Sequence, residues 1–259
     1  MPAHFAKKRF GQHFLHDAHV IAKIIRFIAP KSGETLIEIG PGLGALTNPL
    51  LDAAGALQVV ELDRDVIPHL LQTCTNHPGL KIHQADALEF DFRALGSKLR
   101  LCGNLPYNIS TPLLFHLLEQ SDAITDMHFM LQKEVVERIC AAPGSEHYGR
   151  LTVALFARAE ARKLFEIGPG AFRPPPQVDS AVVRLTPRPA PFPIADLARF
   201  DAVVKYAFGQ RRKTLGNALK SLITADQIRA AGIDPIVRAE QLPPEAFARL
   251  AQQILGPPA

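Results

Sequence analysis

Thr35-Leu36-Ile37-Glu38-Ile39-Gly40-Pro41-Gly42-Leu43-Gly44 decides the fold: an apolar, β-branched run ends on a glycine-rich turn and a helical pattern follows. Strand, tight turn and helix in that order form a nucleotide-binding βα unit, because glycines let the backbone turn sharply and approach a ligand closely. The spacing is GxGxG rather than GxGxxG, which argues against a pyrophosphate dinucleotide. Working outward, Leu57–Leu62, Leu80–Gln84, Leu99–Cys102 and Met127–Leu131 repeat the short apolar run, separated by helical patterns. That alternation predicts an α/β fold with a largely parallel, helix-covered sheet. Lys133–Cys140 and Leu151–Arg158 carry helical patterns. Arg162–Ile167 and Ser180–Leu185 flank Pro174-Pro175-Pro176 and predict an edge hairpin closing the sheet.

Thr186–Pro193 places four prolines in eight residues, a semi-rigid linker. Beyond it, Ala195–Phe208, Lys213–Leu222, Asp226–Ala231 and Pro244–Leu255 have helical periodicity. The expected organisation is a catalytic domain over residues 1–187 and a small all-α domain over 188–259.

Polar groups close the strands. Glu38 and the turn glycines Gly40 and Gly42 follow the first strand, Glu61 ends the second and Asp86 the third. A carboxylate at Glu61 suits the two hydroxyls of a ribose, and one at Asp86 suits an adenine amine. Ligands bind at this carboxyl edge of such sheets. Each acidic residue taken alone is equally a helix cap. Adenosine without a pyrophosphate points to S-adenosylmethionine, whose sulfonium is a built-in electrophile, so the protein need only position, desolvate and stabilise.

The fourth strand runs into Asn104-Leu105-Pro106-Tyr107. An exocyclic adenine amine is a poor nucleophile, its lone pair being delocalised into the ring. Bonds from its two N–H groups to the Asn104 side-chain oxygen and the Leu105 carbonyl localise that pair. Pro106 stiffens the loop and Tyr107 stacks on the base. Phe172, in a proline-braced loop, offers a second stacking face; a plain hairpin loop is the competing view. The competing view of the Asn104 stretch is a strand-to-helix turn capped by Asn or Ser110. Phe10 and Phe14, four residues apart, are expected as core anchors.

Composition sets the frame. At 259 residues the chain can bury one sizeable core plus a small appended domain. With 47% hydrophobic and 21% charged residues, it has the balance of a globular protein. No apolar run reaches the roughly 20 residues of a bilayer span, and the N-terminus lacks a secretory apolar region; a cytoplasmic location is expected. Cys74, Cys102 and Cys140 have no CxxC pairing and are expected to be buried free thiols. No histidine or cysteine spacing marks a metal site. A net charge of +4 and a pI near 9.0 suit a polyanionic partner. Lys7, Lys8, Arg9 and Arg211, Arg212, Lys213 are the dense basic clusters, placed to contact phosphates.

With these motifs assembled, the chain resembles the ribosomal RNA adenine dimethyltransferase family, specifically its small-subunit (16S) branch. The resemblance rests on Lys8–Leu15, Glu38–Thr47, Glu61-Leu62-Asp63, Asp86, Asn104–Tyr107, Phe172–Leu185 and Phe208–Leu215, in order. It implies a Rossmann-like class I methyltransferase sheet, mostly parallel with one antiparallel strand, and a helical C-terminal domain binding RNA. It further implies S-adenosylmethionine-dependent transfer of four methyl groups to two adjacent adenosines near the 3′ end of 16S rRNA. The substrate would be a small (30S) subunit particle or its precursor; no membrane or metal is expected to take part, and a monomer is expected. By matching positions, His13 and Leu15 contact the methionine end of the cofactor, Gly40 its backbone-facing side, Glu61 the ribose and Asp86 the adenine; Asn104 bridges cofactor and amine. His13 stands where the family often has Asn. The alternatives are a non-catalytic RNA-binding assembly factor, methylation of 23S rRNA or DNA adenine, and a dinucleotide oxidoreductase.

Overall fold

β-Branched and leucine-rich runs become strands, and segments capped or stopped by turn residues become helices, in a computed structural model that describes residues 13–210 and 212–254. The chain opens with β1 (Phe14–Leu15) and α1 (Ala18–Ile28), the latter started by Asp17, whose side chain accepts from the His19 and Val20 amides. Then follow β2 (Leu36–Ile39), α2 (Thr47–Ala54), β3 (Leu57–Glu61), α3 (Ile67–Thr73), β4 (Leu80–Gln84), β5 (Leu99–Asn104), α4 (Ser110–Glu119) and β6 (Ile124–Gln132). α5 (Lys133–Ile139), α6 (Arg150–Phe156), β7 (Ala159–Ile167), β8 (Phe172–Arg173) and β9 (Ser180–Pro187) complete this part of the chain.

Seven strands form one sheet in the order β4-β3-β2-β5-β6-β9-β7. β4, β3, β2, β5 and β6 pair in parallel, and β9 runs antiparallel to β6. The order reverses at β2, so β3 and β5 leave its two sides and a crevice opens at their carboxyl ends. β7 and β9 are neighbours at the sheet edge, as the sequence predicts. The segment between them is more than a hairpin loop, because β8 pairs with β1: Phe14 faces Arg173 and Leu15 faces Phe172.

Two backbone features position the crevice. Gly103 on β5 lies so close to β2 that a Cβ there would sit 2.4 Å from the Ile39 carbonyl oxygen. At the opposite end of β5, Arg100 donates to Glu34 at 2.6 Å, to Asp126 at 2.9 Å and to the Ile28 carbonyl at 2.6 Å. It thereby satisfies a terminal carbonyl of α1 while pinning the strand.

The chain divides into two units, residues up to Val136 with Arg162–Pro187, and Glu137–Ala161 with Arg188 onward. The division at Pro187 falls inside the proline-rich segment. Glu137–Ala161, expected within the first domain, groups with the C-terminal residues instead. The physical reason is packing: Tyr148, Val153 and Ala157 enter a buried cluster with Phe200, Val204, Leu219 and Phe247, and the Tyr148 hydroxyl donates to the Leu242 carbonyl. The second unit carries α7 (Leu197–Gly209), α8 (Leu215–Leu219), α9 (Ala225–Ala230) and α10 (Pro244–Ala251). Cys74 and Cys102 are buried free thiols, but Cys140, just past α5, is exposed. Among the described residues no helix is long and apolar enough to cross a membrane.

Because the oxygen facing Gly103 belongs to the backbone of a buried strand, it cannot rotate away. Gly103→Ala is expected to lower unfolding free energy by about 3 kcal/mol, read as the urea midpoint; an unchanged midpoint would show that the two strands can separate at no cost.

Candidate active site

The glycine-rich turn shapes the mouth of the crevice. Gly40 and Gly42 have φ of 65° and 53°, left-handed values that side chains disfavour. A Cβ at Gly40 would meet nothing, leaving open space, whereas one at Gly42 would press on the Phe14 ring at 3.3 Å. The cavity so formed is lined by this turn and by the carboxyl ends of β2, β3, β4 and β5.

The polar strand ends meet here. Glu38, Gly40, Gly42, Glu61, Asp86, Asn104, Leu105, Pro106 and Tyr107 all line this one cavity, together with His13 and Leu15. Glu61 is buried; its carboxylate accepts from the Asp63 amide at 2.7 Å and the Gly42 amide at 3.4 Å. Asp86 accepts from the Leu88 amide at 2.9 Å, so it caps its own turn and still faces the cavity. The capping reading of that residue is therefore realised, and its place on the cavity wall leaves the adenine contact open to it. Asn104 is no cap: its Nδ2 donates to the His13 carbonyl at 2.9 Å, and α4 begins without a side-chain cap. Since a carbonyl only accepts, the amide nitrogen must face His13 and the Asn104 oxygen is turned the other way.

Charge in the cavity is one-sided. Glu38, Glu61, Asp63 and Asp86 line it, with no Lys or Arg among the described residues. Glu38 accepts from the Thr47 hydroxyl at 2.6 Å, yet burial, with a further push from Glu61, raises its carboxyl to about 7. Burial likewise raises Glu61, opposed by the Asp63 and Gly42 amides. Such a wall repels phosphates and attracts a cation. Leu62, Ala87, Leu88 and Ile109 add apolar faces suited to a flat ring. Sulfonium, ribose and adenine thus each find matching chemistry, and a dinucleotide does not.

A family model described as ribosomal RNA adenine dimethylase matches residues 3–255. The chain belongs to that family. Ribosomal RNA small subunit methyltransferase A of Pseudomonas savastanoi pv. phaseolicola is 54% identical over 255 residues, spanning 97% of this chain and 95% of the relative. Its namesake in Marinobacter nauticus is 54% identical over 251 residues, spanning 96% and 91%. Among solved structures, a 23S rRNA methyltransferase, ErmE, matches with a TM-score of 0.71 at 26% identity, over 93% of this chain and 99% of that one. A dimethyladenosine transferase from Plasmodium falciparum shares the fold, with a TM-score of 0.76 at 24% identity over 92% and 96%. The sheet, with its single antiparallel strand, is the class I methyltransferase fold, and S-adenosylmethionine is the cofactor of this family.

Other expected residues lie elsewhere. Phe172 does not line the cavity: it is 2% exposed and packs in the core with Leu15, Met130 and Val182, so it presents no second stacking face. Phe14, expected in the core, instead lines the cavity against Gly42. Arg212 and Lys213 are exposed in the second unit. Lys7, Lys8, Arg9, Phe10 and Arg211 lie outside the described residues. Leu62, quoted in the sequence only as part of the Glu61-Leu62-Asp63 block, also lines the cavity.

Glu61→Ala is expected to weaken S-adenosylmethionine binding by roughly 10–100-fold, the loss of one or two hydrogen bonds to a charged acceptor, measured by titration calorimetry. Glu38 is neutral below about 7 and charged above it. A bound cation favours the charged form, so affinity should rise from pH 6 to pH 8. Glu38→Gln should flatten that rise; a wild-type profile flat across the window would remove Glu38 from cofactor binding.

Proposed function

We propose that this chain methylates the N6 amines of two adjacent adenosines in the 3′-terminal hairpin loop of 16S rRNA, within the small ribosomal subunit or its precursor, giving N6,N6-dimethyladenosine. Family membership makes the chain an S-adenosylmethionine-dependent rRNA adenine dimethyltransferase; the branch and the target bases are the finer step. Support for the 16S branch is the 54% identity to small-subunit enzymes along almost the whole chain, against 26% to the 23S enzyme.

The observation that carries the acceptor site is the Asn104–Tyr107 loop on the wall of a cavity that also holds Glu61 and Asp86. The Asn104 side-chain oxygen, directed by the Nδ2 bond to His13, accepts one N–H of the target amine, and the Leu105 carbonyl accepts the other. Two acceptors favour a pyramidal nitrogen and an available lone pair. Tyr107 stacks on the base, worth roughly 1–3 kcal/mol for such contacts, and Pro106 holds the loop rigid. The base must leave its stack to arrive here. Glu61 holds the ribose, Asp86 the adenine amine, and Glu38, the Gly40–Gly42 turn and Leu15 surround the methionine end. The bound cofactor supplies a methyl group on a positively charged sulfur. The methyl group would pass from that sulfur to the amine nitrogen held by Asn104 and Leu105, the S–C bonding pair staying with sulfur and the amine becoming an ammonium. That ammonium is strongly acidic and loses its proton to water, so no residue need act as base. A second round on the same nitrogen gives the dimethylated product.

Lys7, Lys8, Arg9, Arg211, Arg212 and Lys213 contact rRNA phosphates, supplying salt-dependent affinity rather than sequence choice. The residues from 188 onward form the ribosome-binding part. The enzyme acts in the cytoplasm as a monomer.

The test is transfer of labelled methyl groups into small subunits from a strain lacking the modification, followed by nucleoside identification. Label in N6,N6-dimethyladenosine of 16S rRNA, lost with Asn104→Ala, is the expected result. Absence of label in 16S rRNA while cofactor binding stays intact would overturn the substrate.

A further inference from the structure

Tyr107 is held at both ends of its side chain. Its hydroxyl and that of Ser180 share a hydrogen bond of 2.6 Å. Ser180 is fully buried, the first residue of β9, opposite Gln132 of β6. Its neighbour Asp179 accepts from the Lys133 amide at 2.9 Å, which fixes the strand start. Burial raises the Tyr107 phenol, so it stays protonated and able to donate. On the ring itself lies the His13 imidazole, with centroids 5.6 Å apart and planes 27° apart.

His13 is in turn fixed by two bonds. Its Nδ1 lies 2.9 Å from the Pro174 carbonyl, which only accepts, so that nitrogen carries the hydrogen. Its own carbonyl accepts from Asn104. The imidazole thereby engages the loop after β8 and the aromatic platform. This contrasts with the cofactor contact that the sequence resemblance implies for the same residue.

We infer that Ser180 and His13 are positioning residues for the acceptor adenine, setting the plane of Tyr107 through its hydroxyl and its ring. This rests on reading Asn104–Tyr107 as the acceptor site. A base stacked on Tyr107 takes its plane from that ring, and the plane fixes where the amine lone pair points. Reactivity at a methyl carbon depends steeply on that direction, so a small tilt of Tyr107 lowers turnover without touching the cofactor.

Steady-state transfer into unmodified small subunits, with particle and cofactor varied separately, tests this. Ser180→Ala and His13→Ala are each expected to lower kcat/KM for particles roughly tenfold or more, with S-adenosylmethionine Kd unchanged. Ser180→Thr keeps the hydroxyl and should restore activity. His13→Phe keeps the ring and should restore more activity than His13→Asn. Tyr107→Phe combined with Ser180→Ala should lose no more than either alone, since both remove the same bond. Unchanged particle kinetics, or a cofactor Kd that rises in step with the lost activity, overturns the inference. So does a loss that tracks the thermal midpoint and resists Ser180→Thr. Asn104→Ala separates the two levels: retained transfer there would sink the acceptor site itself, whereas an inactive Asn104→Ala beside normal Ser180 and His13 variants sinks only their positioning role.

Discussion

The close approach of β5 to β2 at Gly103 and Ile39 is the constraint on which the site depends. A side chain at Gly103 would collide with the Ile39 carbonyl. Without one, the last residue of β5 lies beside the glycine turn that follows β2. Asn104 is that residue, so the side chain proposed to receive the target amine and the glycine turn proposed to cradle the cofactor share one cavity wall. Both strands point their carboxyl ends the same way because parallel pairing leaves no other choice, and the reversal of strand order at β2 opens the space between their connections. Methyl transfer needs its two reactants within a few ångströms, and this strand contact supplies that closeness before any ligand arrives.

Electrostatics divides the labour. The cavity gathers four carboxylates and, among the described residues, no lysine or arginine. Burying these acids is unfavourable in the absence of a ligand: burial above all, with a smaller push from neighbouring carboxylates, raises Glu38 and Glu61. A cationic ligand beside these carboxylates favours their charged forms and so offsets that penalty. Positive charge, which RNA requires, sits at other positions in the chain, including exposed Arg212 and Lys213 of the second unit.

The short β1–β8 ribbon shows how weak local signals become decisive once folded. Two residues per strand would not pair alone in water. Here Leu15 and Phe172 are buried in the core, Phe14 lies on Gly42, and His13 reaches Pro174, Asn104 and Tyr107. Residues 13 and 14 thus touch both the glycine turn and the Asn104–Tyr107 loop. Phe172 shows the reverse case: its aromatic ring looks suited to stacking, but pairing in the ribbon turns it inward, where burying a large apolar ring is favourable.

What the sequence by itself determined is whatever depends on neighbours along the chain. Apolar runs of strand length placed β2 to β6 within a few residues, and Glu61, Asp86 and Asn104 were legible as polar residues at or just past strand ends. Alternation along parallel strands sends all such ends to one edge, so their convergence needed no coordinates. What only the tertiary structure decided are contacts between segments far apart in sequence. The pairing of Tyr107 with Ser180 depends on β9 entering the sheet antiparallel beside β6, and the engagement of His13 with Pro174 spans 161 residues. The transfer of Glu137–Ala161 to the second unit depends on which core its apolar face finds. No local propensity encodes such choices, because burial is a property of the surface that a residue meets, and that surface exists only once the chain has folded.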